Sequence, residues 1–112
     1  MNTFYDCVKS MQSKEITQDF QKYECTQGII RGNIDEEGGI FIHYIFVHEH
    51  LRNTGIFRTF LQKLINDESI KRIWILGVQS QILDDYLCRF ETPKGEKFRY
   101  QGGDFLLKKK IE

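Results

Sequence analysis

No stretch of the chain approaches the ~18 consecutive apolar residues from which a membrane-spanning helix is built. Its start, Met1-Asn2-Thr3-Phe4-Tyr5-Asp6, lacks the basic residues and apolar run of a secretory signal. Cysteine is scarce: Cys7, Cys25 and Cys88 are odd in number and widely spaced, with no CxxC pair to suggest zinc or a redox dithiol. These absences point to a reducing, cytoplasmic setting. An excess of either charge is missing too, since 16 Lys and Arg balance 16 Asp and Glu. No long-range field therefore draws the chain to nucleic acid or an anionic membrane, which leaves room only for a local basic patch. Internal repeats, linkers and low-complexity segments are also lacking.

What is there suits one folded domain over 1–112. The 112 residues are 40% hydrophobic and 29% charged, ordinary for a globular chain and far from the composition of disorder. Thr3 and Asp6 have capping-box spacing. Phe4, Cys7, Val8 and Met11 follow at helical intervals, so the spacing predicts an amphipathic opening helix. Ile16, Phe20 and Tyr23 continue that period as one helix or two. Gly28–Ile34 and Ile40–Val47 are rich in β-formers around the turn residues Glu36-Glu37-Gly38-Gly39, which predicts a hairpin. Strict alternation places Ile40, Ile42, Tyr44 and Phe46 on one face of the second strand and Phe41, His43, Ile45 and Val47 on the other. Both faces are mainly apolar, which predicts a central strand with helices on both sides.

Beyond the turn Arg52-Asn53-Thr54-Gly55, the residues Ile56, Phe57, Phe60, Leu61, Leu64 and Ile65 trace a helix. Ile73 to Leu76 then reads as a second buried strand, parallel to the first in a βαβ unit. Ser80 is the expected N-cap of a helix carrying Ile82, Leu83, Tyr86, Leu87 and Phe90, closed by Pro93 and Gly95. Phe98–Tyr100 and Phe105–Leu107 make a terminal hairpin, and Lys108-Lys109-Lys110 reads as a solvated end. The expected class is α/β, an α+β mixed sheet.

The chemistry-bearing stretch is Val47-His48-Glu49-His50-Leu51-Arg52-Asn53-Thr54-Gly55-Ile56-Phe57. It places a glycine turn between a buried strand and a helix start, where unpaired N–H groups and the helix dipole favour an anion. Gly55 leaves room for a phosphate, and Arg52 and Arg58 supply positive charge. Alternatively Gly55 merely shapes a βα turn. His48 and His50 would share a strand face, yet without a third ligand they make no zinc site. Cys88 has no identifiable base neighbour and reads as a small apolar helix residue.

Arg52-Asn53-Thr54-Gly55-Ile56-Phe57, with Val47 five residues ahead of the arginine, resembles the Arg/Gln-x-x-Gly-x-Gly/Ala hallmark of the GNAT superfamily of N-acetyltransferases. Phe57 stands where that family most often has glycine or alanine. The chain is also shorter than a typical member, and no clear strand precedes its first helix. The resemblance follows element order from about Gly28 to Lys108. It implies a central mixed sheet whose two parallel strands splay at a bulge. Acetyl-CoA would be bound by Ile45, Phe46, Val47, Arg52, Asn53, Thr54, Gly55, Ile56, Phe57 and Arg58.

Tyr86 takes the place of the tyrosine that protonates the departing thiolate in many such enzymes; as a plain core aromatic it would instead spend its hydroxyl on the fold. An acceptor amine with a pKa near ~10 must lose a proton before it attacks. His43 and Glu49 are the nearest candidates to take it, although His43 also fits a hydrogen-bonded core histidine. The implied function is acetyl transfer from acetyl-CoA to an amine, which would be a protein lysine, a protein N-terminus or a small molecule. A homodimer is compatible, and neither a membrane nor nucleic acid is called for. The alternatives are a GNAT-like interaction or inhibitor module without catalysis, and an unrelated α+β binding domain whose Arg52–Gly55 turn holds nothing.

Overall fold

The computed structural model describes residues 2–13, 20–78 and 80–110. Along the chain run α1 (Phe4–Gln12), β1 (Gln21–Cys25), β2 (Gly28–Ile34), β3 (Gly39–Val47), a 3-10 turn (Glu49–Leu51), α2 (Ile56–Asn66), β4 (Arg72–Ile75), α3 (Gln81–Arg89), β5 (Arg99–Gln101) and β6 (Asp104–Lys108). The strands form one mixed six-stranded sheet in the order β1-β2-β3-β4-β6-β5. Only β3 and β4 run parallel, joined through α2; the other neighbours are antiparallel. The fold is therefore a mixed α/β architecture of α+β character, with the expected hairpins and βαβ unit in place.

Helix α1 begins where its cap dictates. The Thr3 hydroxyl accepts from the Asp6 N–H at 3.1 Å, and the Asp6 carboxylate accepts from the Thr3 N–H at 3.1 Å. Phe4, Cys7, Val8 and Met11 form its buried face. The helical period does not continue to Tyr23, which lies on β1 opposite Ile30; Ile16 falls outside the described residues. Strand β1 is a five-residue edge strand in which Tyr23 alone is buried, so its own sequence carries little period-2 signal and its pairing with β2 decides its form.

Strict alternation along β3 fails at one place. Gly32 pairs with Ile42 but Arg31 pairs with Tyr44, so His43 is an extra residue in the ladder, a β-bulge. Beyond it the side-chain phase inverts. Ile40 and Ile42 before the bulge and Ile45 and Val47 after it all pack with the core, while Tyr44 is 49% exposed on the opposite face. Gly32 makes this possible: a Cβ there would collide with the Phe41 carbonyl.

The helices do not divide between the two faces. Buried residues of α1, α2 and α3, among them Phe4, Leu64 and Leu87, join one core with Ile30, Ile42, Ile75 and Phe105 from a single side of the sheet. A continuous run of ring contacts, Phe4–Phe60–Phe57–Tyr86–Phe90–Phe98–Phe105, ties the helices to that side. Removing the fully buried Phe60 ring should cost about 3–5 kcal/mol. Phe41 and Trp74, on the other side, are half-buried and lie outside this core. The terminal lysines are not a simple solvated end, because the Lys109 ammonium donates to the Leu64 and Asp67 carbonyls at 2.5 and 2.8 Å and closes the C-terminus of α2. Burial pushes the Lys109 pKa down, against the pull of Asp67 and Glu96.

Candidate active site

Strands β3 and β4 part company after four residues. Gly39–Ile42 pair with Arg72–Ile75, and a last bond runs from the Leu76 N–H to the Ile42 carbonyl at 2.8 Å. From the bulge onward β3 keeps only its β2 partner, so the edge of Ile45, Phe46 and Val47 toward β4 is left without a ladder. Beyond Ile75 the chain turns to β6 instead, with the Gly77 N–H on the Asp104 carboxylate and the Val78 N–H on the Gly103 carbonyl.

A cleft of about 670 Å³ lies at this parting, lined by β3, the turn before α2 and the start of α3. It brings together Ile45, Phe46, Val47, Arg52, Asn53, Gly55, Ile56, Phe57, Arg58 and Tyr86. Its size is within the range of small-molecule sites. Thr54 does not line it; its hydroxyl donates to the Leu51 carbonyl at 2.5 Å and braces the turn. Leu51, Ser80, Ile82 and Leu83 also line the cleft and were missed from sequence. The Ser80 cap was legible, but its position facing α2 follows only from the strand pairing. Ile82 stands at the wall 83% exposed, an apolar side chain left toward solvent.

The start of α2 is open. Its N-cap is Gly55 at φ 82°, ψ 13°, and no side chain caps it. Thr59 bonds back to the Gly55 carbonyl at 2.9 Å, whereas the preceding first-turn N–H groups have no carbonyl within the helix to reach. A Cβ built on Gly55 would meet nothing within 4 Å beyond its chain neighbours, so no other part of the protein crowds the cap. Arg52 is anchored by its Nε on the Val47 carbonyl at 2.9 Å, with its guanidinium carbon 5.0 Å from the Phe46 ring centre. Among the described residues neither Arg52 nor Arg58 has a carboxylate partner, and no carboxylate lines the cleft.

Tyr86 faces this site from α3, its ring edge-on to Phe57 with centroids 5.8 Å apart. Burial raises its phenol pKa, and the Arg58 charge works against that rise. Among the described residues no hydrogen bond engages its hydroxyl. His43 is exposed at the bulge, stacked on Phe20 at 4.7 Å, and does not line the cleft. Glu49 is exposed on the 3-10 turn and is not in the cleft wall either. His48 and His50 share no strand face, because β3 ends at Val47; their rings stack at 6.0 Å around the 3-10 turn. No group of three metal-binding side chains occurs among the described residues, and none of their helices is long and apolar enough to cross a membrane. Cys88 is exposed, with its thiol on the Asp84 carboxylate at 3.5 Å, and is not a packed apolar residue.

No protein-family model matches the chain, and no curated protein or solved structure matches it significantly.

Proposed function

We propose that the chain is an acetyl-CoA-dependent N-acetyltransferase of the GNAT type, acting on a protein lysine, a protein N-terminus or a small-molecule amine. The observation that carries this reading is one cleft shared by an unladdered strand edge and an uncapped helix start. The two features suit the two chemistries of coenzyme A. The first-turn amides of Ile56, Phe57 and Arg58, with the Arg52 and Arg58 guanidiniums, would hold the pyrophosphate. The main chain of Ile45, Phe46 and Val47 would hold the amides of the pantetheine arm as a missing strand would. Acetyl-CoA supplies the activated acetyl thioester when bound. Tyr86, a phenol protonated at neutral pH, would hold the proton that the departing thiolate needs. His43 lies outside the cleft wall, so it would take the proton of the acceptor ammonium only through water.

Phe57 favours a second reading, in which the cleft binds the cofactor without turnover. Its ring lines the cleft and touches Tyr86, at a position where a small residue would leave more room. Thermal unfolding with acetyl-CoA tests the shared premise. At a hundred times Kd the ligand should add about 2.7 kcal/mol, a rise of about 10 °C. Pantetheine, lacking the pyrophosphate, should add less. No shift at millimolar acetyl-CoA overturns both readings, whereas a shift without thiol release across a panel of amines leaves the binding module.

A further inference from the structure

Spacing along the chain pairs none of the three cysteines, but folding brings two of them together. Cys7 lies on the buried face of α1, one turn beyond Phe4. Cys25 ends β1 two residues after the buried Tyr23, and strand alternation puts both side chains on the face that meets α1. Cys25 packs against the core to which Cys7 belongs. Two bonds clamp the neighbouring main chain: the Thr26 hydroxyl donates to the Asn2 carbonyl at 2.6 Å, and the Phe4 N–H donates to the Gln27 side-chain carbonyl at 3.0 Å. The start of α1 is therefore fixed on the turn that follows Cys25. Cys88 takes no part, being exposed on α3 with its thiol on the Asp84 carboxylate.

The two thiols differ in reach. Cys7 is fully buried, and burial, with the Cys25 thiol next among the causes, pushes its pKa well above the usual thiol value. It is protonated at neutral pH and closed to reagents in solution. Cys25 is half-buried, so a dissolved reagent meets it first. A zinc site would need further ligands, and among the described residues no group of three metal-binding side chains includes either cysteine. What remains open to two adjoining thiols is a disulfide between them.

We propose that Cys7 and Cys25 are a redox pair whose disulfide fastens α1 to the β1–β2 hairpin. The inference is independent of the cleft and of acetyl transfer. The oxidant is a low-molecular-weight disulfide of the glutathione type. The Cys25 sulfur, as thiolate, attacks one of its sulfurs; a mixed disulfide forms, and one glutathione thiolate leaves and takes up a proton. The Cys7 sulfur then attacks the Cys25 sulfur, its proton passes to the second departing glutathione, and the Cys7–Cys25 bond closes. Two protein thiols are oxidised, and one external disulfide is reduced to two thiols. Thiolate is scarce at Cys7, and its fixed place beside Cys25 offsets that scarcity in the second step.

Cys88→Ser leaves these two thiols alone in the chain. Oxidised glutathione, added to the folded protein, should remove the mass of two hydrogen atoms and leave no adduct. Trypsin should then release Met1–Lys9 joined to Tyr23–Arg31. Closing the loop from residue 7 to residue 25 should raise the melting temperature by about 10 °C, and dithiothreitol should reverse the rise. Cys7→Ala in the same background should stop at a glutathione adduct on Cys25. Should that variant not fold, Cys25→Ser, altered at the half-buried position, should show neither cross-link nor rise. Four results would overturn the proposal: both thiols kept free in the folded chain, oxidation that ends at a glutathione adduct on Cys25, a cross-link between two chains, or a Cys7–Cys25 bond that forms only after unfolding or leaves the melting temperature unraised.

Discussion

Helix α1 begins closed and helix α2 begins open. At α1 the Thr3 hydroxyl and the Asp6 carboxylate satisfy each other's main-chain donors, so the helix start is complete within the chain. At α2 the cap is a glycine with no side chain to offer, and the nearby positive charges belong to Arg52 and Arg58. The far end of α2 is closed again, by the Lys109 ammonium on the last carbonyls. A glycine cap forgoes only about a few tenths of a kcal/mol relative to a serine or threonine cap. That small cost falls at a helix start on the cleft, where a capping side chain would occupy the place proposed for the pyrophosphate.

The largest expected effect tests whether the open start serves chemistry. Tyr86 lies across the cleft from α2, and Tyr86→Phe keeps the ring against Phe57 while deleting the hydroxyl. Turnover of acetyl-CoA should fall on the order of 10²-fold, the low end of what one placed proton donor contributes. Melting temperature and the acetyl-CoA shift should change little, since no hydrogen bond of the fold engages that hydroxyl among the described residues. Unchanged turnover would remove Tyr86 from the chemistry without touching the proposed pyrophosphate site at the Gly55 turn, which stands on other residues.

A smaller effect is expected from closing the open start. Gly55→Val places a β-branched residue at φ 82°, a conformation that costs roughly 1–2 kcal/mol for a residue with a Cβ. The new side chain meets no protein atom beyond its chain neighbours within 4 Å of its Cβ position, so on the proposed reading it would obstruct the pyrophosphate. Acetyl-CoA affinity should fall on the order of tenfold beyond any loss of stability, about one charge-assisted hydrogen bond. Calorimetric titration alongside thermal unfolding separates the two. Equal losses in both would mean that Gly55 serves the turn alone.

The contrast between the two starts was largely legible in the sequence, because capping boxes and glycine turns are local chemistry. Thr3-x-x-Asp6, Ser80 and Arg52-x-x-Gly55 each announced a boundary that the structure bears out within a residue or two. What escaped is set by pairing between distant segments. The bulge at His43 depends on Gly32 across the ladder, eleven positions away, and it inverted every inside-outside assignment beyond it. The apolar residues on both sides of β3 suggested helices on both sides, yet Phe41 and Tyr44 face away from the helices that the described residues form. In the cleft, the β3 and α2 residues followed from one contiguous stretch. Leu51 lies in that stretch too but carries no distinguishing chemistry, whereas Ser80, Ile82 and Leu83 from α3 came from where the folded chain carries them.

The smallest expected effect concerns the closed start and is a control on all the rest. Thr3→Ala removes the hydroxyl that accepts from the Asp6 N–H and should cost about 1 kcal/mol of folding stability. The other half of the box survives, because the Asp6 carboxylate accepts from the main-chain N–H of residues 2 and 3, which alanine retains. Those bonds, the one from residue 3 foremost, hold the Asp6 pKa below the usual carboxylate value. A carboxylate depressed in the folded state contributes stability above its unfolded pKa and loses it as pH falls through the folded one. Because the Thr3 hydroxyl is a lesser cause of the same depression, the unfolding curves of wild type and Thr3→Ala should draw somewhat closer in acid, while Asp6→Asn should lose that share of the acid sensitivity. The acetyl-CoA shift of Thr3→Ala should match wild type, because the α1 cap supplies no group to the cleft. If removing the Thr3 hydroxyl weakened the shift as well, the two helix starts would be coupled through the Phe4–Phe60 contact, and the open start of α2 would depend on the closed start of α1.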